Sequence, residues 1–184
     1  MTAAASDATP LRERKYDWFF IIAFASFAMT SFLADAVNAI LKPDPNGYFM
    51  ARMVHEQYAR GTDPLLIANP RFLQTGTALS AFVFGPFYVV MVYAFARGRN
   101  WIRVPAIFYA GMIVESVILY LSTCIWGDLP LFRQVDPHTT FDVKALNLGK
   151  VLAFNMPYAI VPLLLVARMW REKPFSKRGR FSSL

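Results

Sequence analysis

The chain has 184 residues, of which 56 % are hydrophobic and 17 % are charged, and its formal net charge is +7. A soluble domain carries about 25 % charged residues, and here four long apolar blocks leave too little polar sequence to cover them in water. This composition excludes an ordinary soluble domain and predicts an all-α membrane protein, because a helix satisfies its backbone polar groups internally and crosses the bilayer core in about 20 residues.

Four transmembrane helices are predicted, forming one bundle. A tail of residues 1–16 precedes a membrane domain at 17–170, and a basic tail at 171–184 follows it. An amphipathic segment at about 48–60, with apolar residues at helical spacing, is expected to lie against the bundle or the membrane interface. The predicted spanning helices cover residues 17–41, 72–96, 101–126 and 147–169.

The first apolar block has an alternative interpretation as a signal peptide. Basic residues precede it, and Ala34-Asp35-Ala36 resembles a cleavage site. Its apolar stretch is longer than the usual signal core of about 7–15 residues, so a spanning helix is favoured.

The chain ends and one connection lack apolar periodicity. The tails at roughly 1–12 and 173–184 are expected to be mobile. The connection at 127–146, which carries two prolines and three aspartates, is expected to be a loop or an ordered lid.

The distribution of basic residues predicts that both termini are cytoplasmic. Twelve Lys and Arg residues lie in the two tails and in the loop between the second and third helices. Seven lie in the other two connections or at their edges, among several acids. Lys and Arg in short loops prefer the cytoplasmic side. Nucleic-acid binding is the alternative reading, but no aromatic or Gly-rich pattern is interleaved with these charges, so no nucleic-acid partner is expected.

Polar residues inside the predicted helices indicate a functional layer. Asp35 and Glu115 are ionisable, and ionisable residues within the membrane are expensive and usually functional. At about 1.5 Å per helical residue, they lie roughly 9–15 Å from the non-cytoplasmic face. Ser80 and Asn155 fall at a similar depth, and Thr77 is shallower. We therefore expect a cavity with a polar floor in this half of the membrane.

Aromatic residues are expected to line that cavity, and Pro86, Pro157 and Pro162 favour kinks that would widen it. Carboxylates beside aromatic faces attract cations, so a flat, lipophilic and cationic ligand is predicted. In the alternative interpretation, Asp35 caps a loop near the headgroups, and a protonated Glu115 bonds a neighbouring backbone group. The expected aromatic lining consists of Phe84, Phe87, Tyr88, Tyr120 and Tyr158.

Neither a metal nor a cofactor is predicted. The single cysteine, Cys124, excludes an intrachain disulfide and a cysteine-based zinc site. The two histidines lie outside the predicted helices, and the sequence has no Gly-rich phosphate loop and no nucleophile elbow.

Two motifs carry a family resemblance. The run Asn-Trp-Ile-Arg-Val-Pro-Ala-Ile-Phe-Tyr at 100–109 and the run Asp-Pro-Leu-Leu at 63–66 resemble the sigma-2 receptor family, a branch of the emopamil-binding (EXPERA) superfamily. Tyr-Ala-Phe at 93–95 and the pair Pro157-Tyr158 with Pro162 match it as well. The resemblance covers residues 17–170 and implies a four-helix membrane protein, reported as a homodimer, that binds sterols and lipophilic amines in an intramembrane pocket.

The resemblance also implies residue roles. Asp35 would pair with the ligand ammonium, and Asp63 would hold the pocket together through structural hydrogen bonds. Asn155 matches an Asn on the last helix of the sister branch, the sterol double-bond isomerases. The second-helix Glu of both branches falls near Thr77 or Ser80. Glu115 is extra to the pattern and is a candidate to replace that lost carboxylate from another wall.

Three functional hypotheses follow. The leading one is a receptor or carrier for sterol-like lipids or lipophilic cationic amines, with Asp35, Asp63 and Asn155 organising the site. The second is a sterol or isoprenoid double-bond isomerase, in which Glu115 donates the proton and Asp35 stabilises a carbocation. Where the isomerases place His and Glu on the first helix this chain has Phe27 and Ser31, so binding is favoured over catalysis. The third is a chaperone or trafficking partner with an incidental pocket.

The same resemblance predicts the compartment. Relatives in eukaryotes reside in the endoplasmic reticulum membrane, so that membrane is expected for a eukaryotic chain. The chain ends in Arg-Phe-Ser-Ser-Leu at 180–184, which lacks a lysine-rich retrieval signal. An inner membrane is expected if the source is bacterial.

Overall fold

The computed structural model describes residues 8–127 and 143–176, and within these ranges its regular elements are all helices. Four of the described helices are long and apolar enough to cross a membrane, which confirms the predicted all-helical membrane architecture. Most of the connection at 127–146, and residues 1–7 and 177–184 of the tails, lie outside the described residues. The spanning helices are α1 (Asp17–Ile40), α4 (Arg71–Arg97), α5 (Asn100–Trp126) and α6 (Leu148–Arg168).

Two shorter helices, α2 (49–62) and α3 (Pro64–Ala68), lie between α1 and α4. Ala51 and Val54 on the first half of α2 pack against Val37 near the end of α1. At the other end of α2, the backbone carbonyl of Thr62 accepts hydrogen bonds from the N–H groups of Leu146 and Asn147, just before α6. The segment that contains α2 and α3 therefore covers the end of the bundle opposite the terminal residues described, and it joins α1 to α6.

The spanning helices pack as two pairs, α1 against α4 and α5 against α6. An aromatic cluster links the pairs in the centre, where Tyr88 of α4 is fully buried between Phe24 of α1 and Tyr109 of α5. The Tyr109 hydroxyl donates a hydrogen bond to the Tyr88 hydroxyl at 3.2 Å, so the polar atoms of both buried rings are satisfied.

The outward faces of the helices carry large apolar side chains, as a lipid-facing surface requires. Tryptophans mark both ends of this surface. Trp18, Trp101 and Trp170 are exposed at the end that holds the termini, and Trp126 is exposed at the other end of α5. Tryptophan prefers the interface between lipid and water, so these residues outline a slab of membrane thickness.

Both α1 and α4 contain a π-helical turn, at Ser31–Asp35 and at Ser80–Phe84. The two turns face each other. A Cβ atom at Gly85 would lie 2.8 Å from the Phe32 ring, so this ring of α1 packs directly against the backbone of α4 here. π-Helical turns inside α-helices are frequent at functional sites because they re-aim side chains.

The three prolines predicted to widen the bundle differ in effect. Pro86 follows directly after the π-helical turn in α4, and Pro157 follows a break in α6 at Met156. Proline removes a backbone donor, which accounts for its position at such interruptions. Pro162, by contrast, lies inside the uninterrupted helix Pro157–Arg168.

A buried ion cluster holds together the end of the bundle where the chain begins and ends. Asp17, which is 1 % exposed, accepts hydrogen bonds from the guanidinium groups of Arg14 and Arg168. Arg168 donates at 2.7 and 3.0 Å, one bond to each carboxylate oxygen. Arg14 also donates to the backbone carbonyl of Phe95 on α4 at 2.9 Å. Three separate parts of the chain are thus fixed around one carboxylate.

Phe175 completes this terminal cluster, which comprises Arg14, Asp17, Arg168 and Phe175. Its buried ring packs against both guanidinium groups, with its centroid 4.9 Å from Cζ of Arg14 and 5.0 Å from Cζ of Arg168. Residues 8 and 176 pair as an isolated antiparallel bridge beside it. The expected mobility of the tails is therefore wrong for residues 8–12 and 173–176, because their side chains and backbone bind the bundle.

The terminal cluster predicts a large loss of stability on Asp17→Asn. Removal of one partner from a buried ion pair leaves uncompensated buried charge and costs about 3–5 kcal/mol. Glu172→Gln is the matched control, because Glu172 is an exposed carboxylate at the same end of the bundle. Thermal unfolding in detergent should show a much lower Tm for Asp17→Asn and an unchanged one for Glu172→Gln. Equal Tm values for the two variants would contradict this role of Asp17.

Candidate functional site

Asp35 lies inside the membrane-spanning part of the bundle, five residues before the end of α1, or roughly 7.5 Å along the helix axis. The π-helical turns of α1 and α4 bring it to Ser80, whose hydroxyl donates to Asp35 Oδ2 at 2.6 Å. The hydroxyls of Ser31 and Ser80 are 3.0 Å apart and hydrogen-bonded. We call these three residues the Asp35 group.

No Lys, Arg or His of the described residues forms an ion pair with Asp35. Asp35 as a whole is half-buried. A carboxylate at membrane depth needs a cation or several donors to offset its lost hydration. The hydroxyl of Ser80 supplies one donor, which leaves capacity for a cationic ligand.

Aromatic rings and a hydroxyl pair lie next to the Asp35 group on α1 and α6. The Tyr158 hydroxyl is hydrogen-bonded to that of Thr30, the residue before Ser31. The Tyr158 ring stacks on the Phe27 ring with centroids 4.1 Å apart. The site therefore combines a carboxylate with flat aromatic surface, a combination that binds lipophilic ammonium ions well.

Asp63 organises a second polar group at the outer end of the bundle. It is fully buried and caps α3, where its Oδ1 accepts from the backbone N–H of Leu65 at 3.1 Å. The Tyr120 hydroxyl of α5 donates to Oδ2, and Cys124 Sγ lies 3.9 Å from Oδ1. Burial raises the pKa of the Asp63 carboxyl above its ordinary value, with the Tyr120 hydrogen bond opposing the effect.

Asn155 and Tyr58 extend this group to α6. Asn155 Nδ2 donates to the Tyr58 hydroxyl at 3.2 Å and to the carbonyl of Val151 at 2.8 Å. Burial, with the nearby Asp63 charge, raises the pKa of Tyr58 to about 12. Tyr58 is therefore a neutral hydroxyl at physiological pH. The Asp63 group, formed by Asp63, Tyr120, Cys124, Tyr58 and Asn155, connects the outer helices with α5 and α6.

The described structure thus distributes the predicted site residues over two hydrogen-bonded groups instead of one polar layer. Ser80 joins Asp35, and Tyr158 lies beside it, whereas Asn155 and Tyr120 belong with Asp63. Thr77 joins neither group. Its buried hydroxyl donates to the carbonyl of Leu73 at 2.9 Å within its own helix.

Glu115 is not brought to either group. Its side chain is exposed on the outer face of α5, and no hydrogen bond or ion pair joins it to Asp35 or Asp63 in the described part of the chain. The helical period explains this placement, because Ile113 and Val117, two residues to either side, face the core. The other residues expected to line a cavity, among them Phe84, Phe87 and Tyr88, pack on Tyr109 in the core.

Ser31, Thr30 and Tyr58 take part in these groups without having been predicted as site residues. Ser31 precedes Asp35 by four residues, about one helical turn, on the same spanning helix, and this spacing is the signal that could have identified it. Tyr58 reaches Asn155 from a residue 97 positions away in sequence, and local spacing carries no signal for such a contact. No group of three or more metal-ligand side chains occurs among the described residues.

Comparison with known proteins supports the resemblance. Residues 49–169 match the family model of EXPERA, the EXPanded EBP superfamily. Over 157 residues the chain is 29 % identical to "Sigma intracellular receptor 2" of Xenopus tropicalis, and this alignment covers 85 % of the chain and 88 % of the relative. The match includes the segment that contains Asp63, Tyr120 and Asn155, and the longer alignment extends across most of the chain.

The raised pKa of Asp63 predicts a pH dependence of stability. At pH values between the ordinary Asp pKa of about 3.9 and the higher folded pKa, the unfolded chain binds fewer protons at Asp63 than the folded chain does. The free energy of unfolding therefore falls as pH rises through that window. Asp63→Asn removes the titration. The Tm of the wild type minus that of Asp63→Asn, measured in detergent from pH 4 to pH 7, should decrease with pH. A constant difference, or one that grows with pH, would contradict a raised Asp63 pKa.

Proposed function

The chain belongs to the EXPERA superfamily as a relative of the sigma-2 receptors, and from that membership we propose that it binds sterol-like lipids or lipophilic cationic amines within the membrane, as a receptor or carrier. The observation that carries the proposal is the Asp35 carboxylate, which lies at membrane depth beside aromatic rings and has no cationic partner among the described residues. A ligand ammonium supplies the missing charge.

The ligand approaches from the bilayer, between α1 and α6. These two helices pack chiefly on other partners, α1 on α4 and α6 on α5. They contact each other at only a few positions. Thr30 on the exposed side of α1 and the half-buried Tyr158 of α6 meet at this seam. A flat lipophilic molecule that separates them brings its ring system against Phe27 and Tyr158 and its polar end toward Asp35.

The Asp63 group supports the site and does not contact the cation in this proposal. Asp63 already has three hydrogen-bonding neighbours, in Leu65, Tyr120 and Cys124. Its carboxylate oxygens are occupied by groups from α3 and α5, so its role is to fix the outer end of the bundle. Sterol-like ligands, which carry a hydroxyl and no cation, depend more on the aromatic surface than on Asp35.

The isomerase alternative receives no support from the position of Glu115. Proton transfer to an alkene requires the donor within about 2.6–3.2 Å of the reacting atom. Glu115 lies on the outer face of α5, so it and Asp35 do not face a common substrate. A double-bond isomerase that uses these two carboxylates would need a large rotation of α5.

Orientation and compartment complete the proposal. Residues 8–17 and 168–176 lie at the same end of the bundle as Arg97 and Arg99, and we propose that this end is cytoplasmic, because basic residues prefer that side. We propose residence in the endoplasmic reticulum membrane for a eukaryotic chain and in the inner membrane for a bacterial one. The homodimer implied by the resemblance is part of the same proposal.

Asp35→Asn should abolish the preference for cations. The variant keeps the shape and the acceptor oxygen for Ser80 but removes the charge. A lipophilic tertiary amine should raise the Tm of the wild type in detergent through mass action and bind the variant about 10–100-fold more weakly, with each tenfold step corresponding to 1.4 kcal/mol. Binding of cholesterol should change much less.

Glu115→Gln is the matched control, because it removes a carboxylate at a similar membrane depth that lies outside the proposed site. It should bind the amine like the wild type. An amine affinity that survives Asp35→Asn, or that is lost equally in both variants, would overturn the assignment of Asp35 as the ammonium partner.

A further inference from the structure

A cavity of about 450 Å³ opens at the outer end of the bundle, away from the Asp35 group and the terminal cluster. It lies between the end of α1, the turn that follows it, the first turn of α2 and the start of α4. This volume falls in the range of small-molecule sites, about 300–1,000 Å³. The lining residues include Leu41, Lys42, Asp44, Tyr48, Asn69 and Gln74.

The depth of the cavity matches the lipid headgroup region. Lys42 lies just beyond the last residue of α1, and Gln74 lies only three residues inside the start of α4. The exposed ring of Tyr48 borders the same opening, and tyrosine is enriched at the boundary between hydrocarbon and water. A ligand at this position has its polar end in the cavity and its chains along the lipid-facing helices.

Charges of both signs line the cavity without pairing with each other. Lys42 is exposed and has no hydrogen bond or ion pair to any described residue. Asp44 accepts the backbone N–H of Asn46 at 2.8 Å and forms no ion pair within the described ranges. An ammonium on one wall and a carboxylate on another complement a ligand that carries a phosphate and an ammonium.

Asn69 is a rigidly held part of the cavity wall. Its Nδ2 donates to the backbone carbonyls of Asn38 at 2.9 Å and Leu41 at 2.8 Å, so its orientation is fixed. Its Oδ1 is buried and has no partner among the described residues. Asn69 also adopts a left-handed backbone conformation, with φ of 45°, which costs free energy and is maintained by these bonds. Unsatisfied buried acceptors are rare in native structures and call for a donor.

We propose that this cavity binds the headgroup of a phospholipid with a primary ammonium, of the phosphatidylethanolamine type. Lys42 pairs with the phosphate. The ammonium lies at Asp44 and donates hydrogen bonds to its carboxylate, since a primary ammonium carries three N–H donors. A choline headgroup has the same charges but no N–H donor, so the cavity discriminates against it.

Short-chain lipids test this site on the full-length protein in nonionic detergent. Dihexanoyl-phosphatidylethanolamine should raise the Tm more than dihexanoyl-phosphatidylcholine at equal concentration, with an apparent affinity about tenfold higher. Lys42→Gln and Asp44→Asn should each remove most of this difference. Arg52→Gln is the matched control, because it removes an exposed positive charge from the same connection outside the cavity, and it should retain the difference.

Two results would overturn the proposal. Equal shifts with the two lipids would exclude recognition of the primary ammonium. A shift of the same size with water-soluble glycerophosphoethanolamine would assign the cavity to a soluble phosphate ester instead of a lipid. Asp35→Asn should keep the lipid preference, which distinguishes a failure at this cavity from a failure of the proposed amine site.

Discussion

A carboxylate on a membrane-spanning helix, with no cationic partner among the described residues, is the constraint on which the rest of the structure depends. Asp35 is stabilised by Ser80 across a close contact between α1 and α4. That contact exists because both helices contain a π-helical turn at the same level and because Gly85 leaves space for the ring of Phe32. An ionised group at membrane depth is costly unless donors or a cation compensate its charge, and a ligand cation is the compensation that we propose.

The two ends of the bundle are fixed by different polar groups. At the end with the termini, Asp17 binds two guanidinium groups and holds residues from three parts of the chain. At the other end, Asp63 bonds α3 to α5, and Tyr58 bonds Asn155 of α6. Between these ends α1 and α6 have little mutual contact, which is where a lipophilic molecule can enter.

The four-helix architecture could be predicted from the sequence, because long apolar runs can be recognised from local composition alone. The depths of Asp35 and Ser80 could also be estimated from the helical rise, and their hydrogen bond agrees with that estimate. Rotation about the helix axis could not be estimated in this way. Glu115 has a suitable depth but faces outward, because the side that α5 presents to its neighbours is set by tertiary packing.

Long-range contacts were the other part that could not be predicted. Arg14 and Arg168 were counted as basic tail residues that report topology, yet both donate to the buried Asp17. Phe175 was placed in a tail expected to be mobile, yet its ring is buried against both of those groups. The contact of Arg168 with Asp17 joins residues 151 positions apart, and no periodicity or turn motif encodes it.

The most direct test of the account compares a lipophilic amine with its isostere in which a carbon atom replaces the nitrogen. The two ligands have the same shape and nearly the same apolar surface, so their affinity ratio isolates the charge. The account predicts that the wild type binds the amine at least about tenfold more tightly, a difference of 1.4 kcal/mol, and that Asp35→Asn binds both equally. Equal affinities in the wild type would contradict the claim that Asp35 recognises a cation.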